Sequence, residues 1–372
     1  MHTDFVIIGA GVYGAATAWH LARAGASVVV LDERDIATRA SGGPGRRGVR
    51  ANGRDLRELA LMPEAYALWP SLAEELGAAE FYQRCGHLLL AETDIHASAL
   101  QARAWMQRAR GVATEFLSGD AAREREPGLS KAVRAALHCP DDGVADHSAT
   151  TRAYARAAKS RGVEFRTFTK ALSIDAANAR ARAVITTSGE EFVAGEAVLV
   201  LANSKVAALL SPWQTLPVWS ECLQVLVSAP LEQVPFRHLT GHAGRTISLK
   251  TEGAERVMIS GGWHGHWDPV TEDGVAIDSA IAGNLAEAIA VYPELEGLQI
   301  DLADASHLET FTPDAIPIID QLQALPNVWF ATGWCGHGWA IAPVVAEKLA
   351  AWVLHGSCAQ ELEPLRLARF YT

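Results

Sequence analysis

DFVIIGAGVYGAATAWHLARAGASVVVLDER, residues 4–34, is the stretch to which the rest of the chain attaches. Residues 5–8 are a continuous apolar run, as a parallel strand buried on both faces requires. The run ends in Gly9-Ala10-Gly11-Val12-Tyr13-Gly14. In a strand–turn–helix of this spacing the first glycine permits a tight turn. The second lets the backbone approach a pyrophosphate, and the third lets the helix pack close to the strand. The helix expected over residues 13–24 points its free N–H groups and positive dipole end at that pyrophosphate. Gly25 stops it. Residues 28–31 form the second strand, followed by Asp32 and Glu33. An acid there accepts ribose hydroxyls and repels a 2′-phosphate. A glycine turn in an ordinary α/β protein explains residues 9–14 but not this acid, so the stretch reads as a dinucleotide site.

Composition bounds the rest. The 372 residues suffice for two domains. A net charge of −11 without a long basic run argues against nucleic acid as a partner. No apolar run reaches the roughly 20 residues of a membrane helix. The first strand begins at residue 4, leaving no room for a signal peptide, so a cytoplasmic location is expected. The five cysteines are scattered and form no CxxC pair, which argues against a disulfide framework, structural zinc or an iron–sulfur cluster.

A long loop rich in glycine and arginine follows Asp32. Arg39, Ser41, Arg46, Arg47 and Arg50 are placed either to face phosphates or a flavin edge or to stand as solvated surface residues. Residues 54–76 read as one helix, broken near Pro63 and Pro70. Residues 81–91 read as a strand hairpin and 94–110 as a helix. A strand is expected at 132–139, then a turn and a helix over 148–161. Strand-like runs follow at 163–168, 171–175, 181–187 and 191–201, the last a return to the buried parallel sheet. Residues 213–304 change character, with strands expected at 221–228, 246–251 and 255–261 in an antiparallel sheet under a helix at 279–291. The expected fold is therefore α/β, α+β overall, with a Rossmann-type domain (1–84, 140–212 and 305–372) and an inserted antiparallel-sheet substrate domain (85–139 and 213–304). Near the end, a strand at 328–331 leads through TGWCGHGWAIAP into a helix over 340–354. This second glycine turn offers backbone N–H groups to another electron-rich group, such as the pyrimidine edge of a reduced flavin.

GAGVYG with Asp32, the ASG…GVR loop, DDGVADHSATTRAYARAAKSRGVEF, TPDAIPIID and GWCGHGWAIAP together resemble the D-amino-acid oxidase superfamily of FAD enzymes. That superfamily includes glycine oxidase and sarcosine oxidase. Residues 241–265 and the closing EPLRLARFY look most like catalytic subunits of hetero-oligomeric D-amino-acid, hydroxyproline and opine dehydrogenases. The resemblance implies FAD, with Gly9, Gly11, Tyr13 and Gly14 at the pyrophosphate and Asp32 at the ribose. Ser41 and the Arg46–Arg47–Gly48–Val49 loop would lie beside pyrophosphate and flavin, and the Ala171 backbone at the adenine. Ala202, Gly333, Gly336, His337, Gly338 and Trp339 would lie near the flavin. The chain departs from the pattern in three places. Ala202-Asn203-Ser204 replaces an Ala-x-Gly turn, GPGRRG replaces Asn-Ala-Gly-Gly, and Glu309 stands where many relatives carry a carboxylate-binding arginine.

The chemistry implied is oxidation of a C–N bond in an amine, amino acid, imino acid or opine, by hydride transfer to flavin N5. The cofactor carries the hard step, and no dedicated base is obligatory. Glu309 is the main catalytic or substrate candidate: it would recognise a cationic nitrogen or take an ammonium proton, or else pair with a neighbouring base. Lys250 would assist oxygen or stand as a solvent-facing strand lysine. His337 would contact the flavin. Arg50 and Arg245 are candidates for a substrate carboxylate, and Trp263 and Trp334 for an apolar wall. His264 and His266 lack a third ligand, so no metal is expected. A subunit of this kind would pass electrons to partners carrying iron–sulfur centres or a second flavin. The rival readings are an NAD-dependent dehydrogenase and a non-catalytic flavoprotein-like subunit.

Overall fold

The computed structural model describes residues 2–43 and 45–371. The opening strand, His2–Ile8, is central to an eight-stranded sheet. It pairs in parallel with Val28–Leu31 on one side and with Glu191–Val200 on the other. Glu191–Val200 serves two partners on its far edge. Its first half pairs with the antiparallel strand Arg180–Thr186, its second half with the parallel strand Val328–Thr332. The late glycine turn is thereby carried to the same end of the sheet as the first. The helices Val12–Arg23, His147–Lys159 and Ala342–His355 supply much of one large core, in which Ile7, Val30, Leu199 and Trp329 take part.

A second eight-stranded sheet runs Ile300–Asp304, Val225–Ser228, Arg256–Ser260, Ser248–Glu252, Leu239–His242, His87–Ala91, Ala135–Cys139, Glu115–Ser118. The antiparallel expectation needs correction at one seam: Leu239–His242 and His87–Ala91 are parallel. These strands come from segments far apart in sequence, so no hairpin dictates their direction. The hairpin expected over 81–91 is likewise absent. Tyr82–Arg84 joins a three-stranded sheet with Arg46–Val49 and Gly143–Asp146, while His87–Ala91 joins the second sheet. Between them Gly86, at φ 73, turns the chain, and Cys85 and Gly86 donate to Asp142 O rather than to each other's strand. The helix expected over 54–76 with breaks near Pro63 and Pro70 is three short ones, Leu56–Leu59, Met62–Leu68 and Leu72–Glu75, interrupted near those prolines.

Side chains alternate across a strand, and this gives the second sheet two unlike faces. Leu88, Leu90, Leu249 and Ile259 pack into a core with Ala288 and Val291 of the helix Asp278–Val291. His87, Leu89, Ser248 and Lys250 border a cavity on the other face. No described helix is long and apolar enough to cross a membrane.

Candidate active site

The cavity, about 1280 Å³, runs from the first glycine turn to the second sheet. At one end Gly9 (φ 110) turns tightly, and a Cβ on it would press on Leu201 O. A Cβ on Gly14 would lie 1.8 Å from Gly9 O, so only glycine lets the helix approach the turn. A Cβ on Gly11, by contrast, meets no protein atom and would project into open space beside the cavity lining. Asp32 accepts from Ala10 N at 2.6 Å and Arg34 N at 2.8 Å, one bond on each oxygen. Burial pushes its carboxyl up, against the downward pull of those two N–H groups. Each oxygen keeps a lone pair for a ribose hydroxyl. Glu33 and Ala171 also border this end.

The second glycine turn is bonded directly to the first. Tyr13 OH donates to Gly338 O at 2.5 Å, and the Tyr13 ring stacks on Trp334 at 3.6 Å and 7°. Gly336 takes φ 74, and a Cβ on Gly338 would strike the Trp334 ring. His337 lies between acceptors: Nδ1 is 3.3 Å from Glu58 Oε2 and Nε2 is 3.1 Å from Ala315 O. Buried Glu58 also pairs with buried Arg54 at 3.0 Å, and Arg54 donates to His337 O. Burial pushes the Glu58 carboxyl up, but Arg54, His337 and Arg50 outweigh it and hold it below the usual range. Arg54 and Glu58 went unnoticed in the sequence because nothing in GRDLRE marks a buried pair.

Glu309 is 4% exposed and borders the cavity. Ser41 Oγ, Asn203 Nδ2 and Thr310 N donate to it, and it forms no ion pair with a described cation. Burial pushes its carboxyl up against these three donors. Two of the three departures from the family pattern thus meet here, since Asn203 belongs to the altered turn.

Lys250 is 4% exposed, with Nζ 3.1 Å from Ser260 Oγ. Burial, and then Arg47, push its ammonium down to about 7. A Lys250→Met variant is expected to be the more stable protein at pH 7 and to lose that advantage near pH 10. The sign follows from linkage. The unfolded lysine is charged below about 10.4, while the folded one resists its proton until about 7. The penalty therefore grows as pH falls across that window. Melting temperatures of both proteins at the two pH values measure it; a gain independent of pH would refute it.

Other candidates fall in different places. Arg39, Ser41, Arg47, Gly48, Arg50, Ala202, Gly336 and Trp339 border the cavity. Arg47 is held by Ser41 O at 3.3 Å and by Gly43 O. Arg46 turns outward to Gln83 at 2.9 Å, and Val49 is fully buried in the core. Gly333, at φ 75, packs against Thr312 and shapes the turn without bordering the cavity. Trp263 lies off the cavity, its Nε1 donating to Thr246 O at 2.8 Å and its ring against Gly283. Arg245 borders the cavity, but Glu92 at 2.8 Å and Glu287 at 2.7 Å neutralise it. His264 pairs with Glu221 at 2.8 Å, and no described cluster of three His, Cys, Asp or Glu residues could hold a metal.

Several buried polar atoms on cavity residues have no described hydrogen-bond partner, among them Asn203 Oδ1, His307 Nδ1 and Trp339 Nε1. Together with the open cradle at Gly11 they fit a large polar cofactor. Comparison with known proteins agrees. The chain is 27% identical to the beta subunit of sarcosine oxidase from Rhizobium meliloti (strain 1021), over 99% of this chain and 88% of that one. It is 26% identical to a subunit of the opine oxidase of Rhizobium meliloti, over 99% and 97%. The structure of L-proline dehydrogenase from P. horikoshii shares the fold, with a TM-score of 0.90 at 24% identity over 100% and 98% of the two chains. The family model described as "DAO: FAD dependent oxidoreductase" matches residues 4–352, and the chain belongs to that family of FAD-dependent oxidoreductases.

Proposed function

We propose that the chain oxidises the C–N bond of an amino-acid-type amine. Its nitrogen would sit beside Glu309 and its carboxylate would face Arg50 and Lys250. One observation carries this reading: buried Glu309, which makes no ion pair with a described cation, and partly buried Arg50 and buried Lys250, which make none with a described acid, border one cavity. Among the described residues Arg50 donates only to Asn52 O, at 2.7 Å, and burial pushes its guanidinium down to about 10. Charges held away from water without an ion-pair partner are costly, and a zwitterion would supply a partner at both ends. Family membership removes the NAD reading, since FAD is the cofactor.

When bound, FAD supplies the hydride acceptor, leaving an imine that hydrolyses in water. The protein's part is to hold and deprotonate. Glu309 takes the ammonium proton and frees the nitrogen lone pair. Arg50 and Lys250 fix the carboxylate, so the donor carbon is presented in one orientation. Asp32 and the two glycine turns grip the cofactor. The names of the sarcosine and opine oxidase relatives support an amine substrate, and each relative is one component of its enzyme, which supports a role within a larger assembly.

Anaerobic titration of the holoenzyme with D-amino acids, N-alkyl amino acids, opines and cationic amines tests the reading. Bleaching of the flavin by amines bearing a carboxylate is expected. A flavin that no amine bleaches would leave the non-catalytic reading in its place. Rapid reoxidation by air would mark a free-standing oxidase, whereas reoxidation by dyes alone would mark a dehydrogenase component of a complex.

A further inference from the structure

The helix Asp94–Ala109 presents one side to the cavity: His96, Ala99, Leu100, Ala102, Arg103 and Met106. The spacing i, i+3, i+4, i+6, i+7, i+10 keeps to one broad helical face. Within this mostly apolar face Arg103 is the cation. Its one side-chain hydrogen bond to a described residue goes to a backbone carbonyl, Arg54 O at 3.1 Å, and it pairs with no described acid. Several guanidinium N–H groups therefore remain for a ligand. His96 Nδ1, on the same face, is buried and has no described partner. Arg103, Arg50 and Lys250 all border this cavity, and the charge of Arg103 acts on Arg50 as that of Arg50 acts on Lys250. One carboxylate at Arg50 and Lys250 leaves Arg103 unanswered.

We infer that Arg103 reads a second anionic group on the substrate, a carboxylate at the end of an aliphatic spacer. The substrate class is then an amine with two separated carboxylates. The near one is held at Arg50, the far one at the helix, and Leu89, Leu100 and Met106 line the way between. The planar guanidinium suits a bidentate carboxylate contact. The inference rests on the proposed amine oxidation, but its test separates the two.

Holoenzyme is titrated anaerobically with alanine N-substituted by straight alkyl chains, and with the same chains ending in a carboxylate. Affinity comes from the flavin difference spectrum and reduction rate from bleaching. The acid-ended member is expected to bind about ten-fold or more tightly than its neutral counterpart. Arg103→Gln should bring that ratio to about one, and Arg103→Lys should restore part of it. A ratio of one in the unmodified protein, or a ratio that Arg103→Gln leaves standing, overturns the inference. Spectral shifts that depend on Arg103 without bleaching would keep the subsite and remove amine oxidation. Bleaching with equal affinity across the series would do the reverse.

Discussion

Glu309→Gln is expected to slow anaerobic flavin bleaching by amines by roughly 100-fold and to flatten the acid side of its pH profile. The magnitude follows from removing one partner of a buried charge pair, about 3 kcal/mol or more, which is roughly 100-fold in rate. The pH dependence follows from environment. Burial raises the Glu309 carboxyl, opposed by Ser41, Thr310 N and Asn203. Only the ionised form can take the ammonium proton, so the rate climbs as pH rises through that elevated value. Glutamine has no such ionisation. Glu309→Arg should go further and turn preference toward carboxylates and away from cations. A glutamine variant that kept its rate within about threefold and the same acid limb would show that the amine sits elsewhere.

The second large effect separates two glycines of one motif. Gly11→Val is expected to give a folded protein that binds FAD about 100-fold more weakly, a cost of about 2.7 kcal/mol. Its Cβ would meet no protein atom within 4 Å and would occupy the space at the cavity edge. Gly11 already has φ −72 and ψ −176, which any residue adopts. Gly14→Ala is different in kind. Its methyl group would sit on Gly9 O, so the strand and helix must part. That variant should lose melting temperature even without cofactor. Apoprotein melting curves and flavin fluorescence on titration distinguish the two; equal thermal losses in both would contradict the assignment.

Much of the first sheet was legible because its strands are continuous apolar runs bounded by glycine and acid. Residues 5–8, 28–31 and 191–201 could be placed from sequence, and so could both glycine turns. Glu309 stood out because an acid replaced a base in a recognisable segment. What the sequence hid has common causes. Leu239–His242 and Glu115–Ser118 are four-residue strands, too short for periodicity to register. Their partners are fixed by tertiary packing rather than by a turn. Arg245 looked as free as Arg50 because its neutralising acids, Glu92 and Glu287, come from distant segments. Trp263 looked like a pocket wall because composition cannot tell which face of a glycine-rich turn meets Gly283. Lys250 was ambiguous between solvent and interior, and only the face assignment of its strand resolves it.

The bond between Tyr13 and Gly338 spans 325 positions. On a ribosome, the first cofactor grip is made at the start of synthesis and its counterpart almost at the end. A nascent chain halted before residue 338 carries the first glycine turn without its bonded counterpart. If both turns hold FAD as proposed, cofactor loading would follow completion of the whole fold rather than of its first domain-sized piece. Bound FAD would then stabilise the full-length chain by mass action.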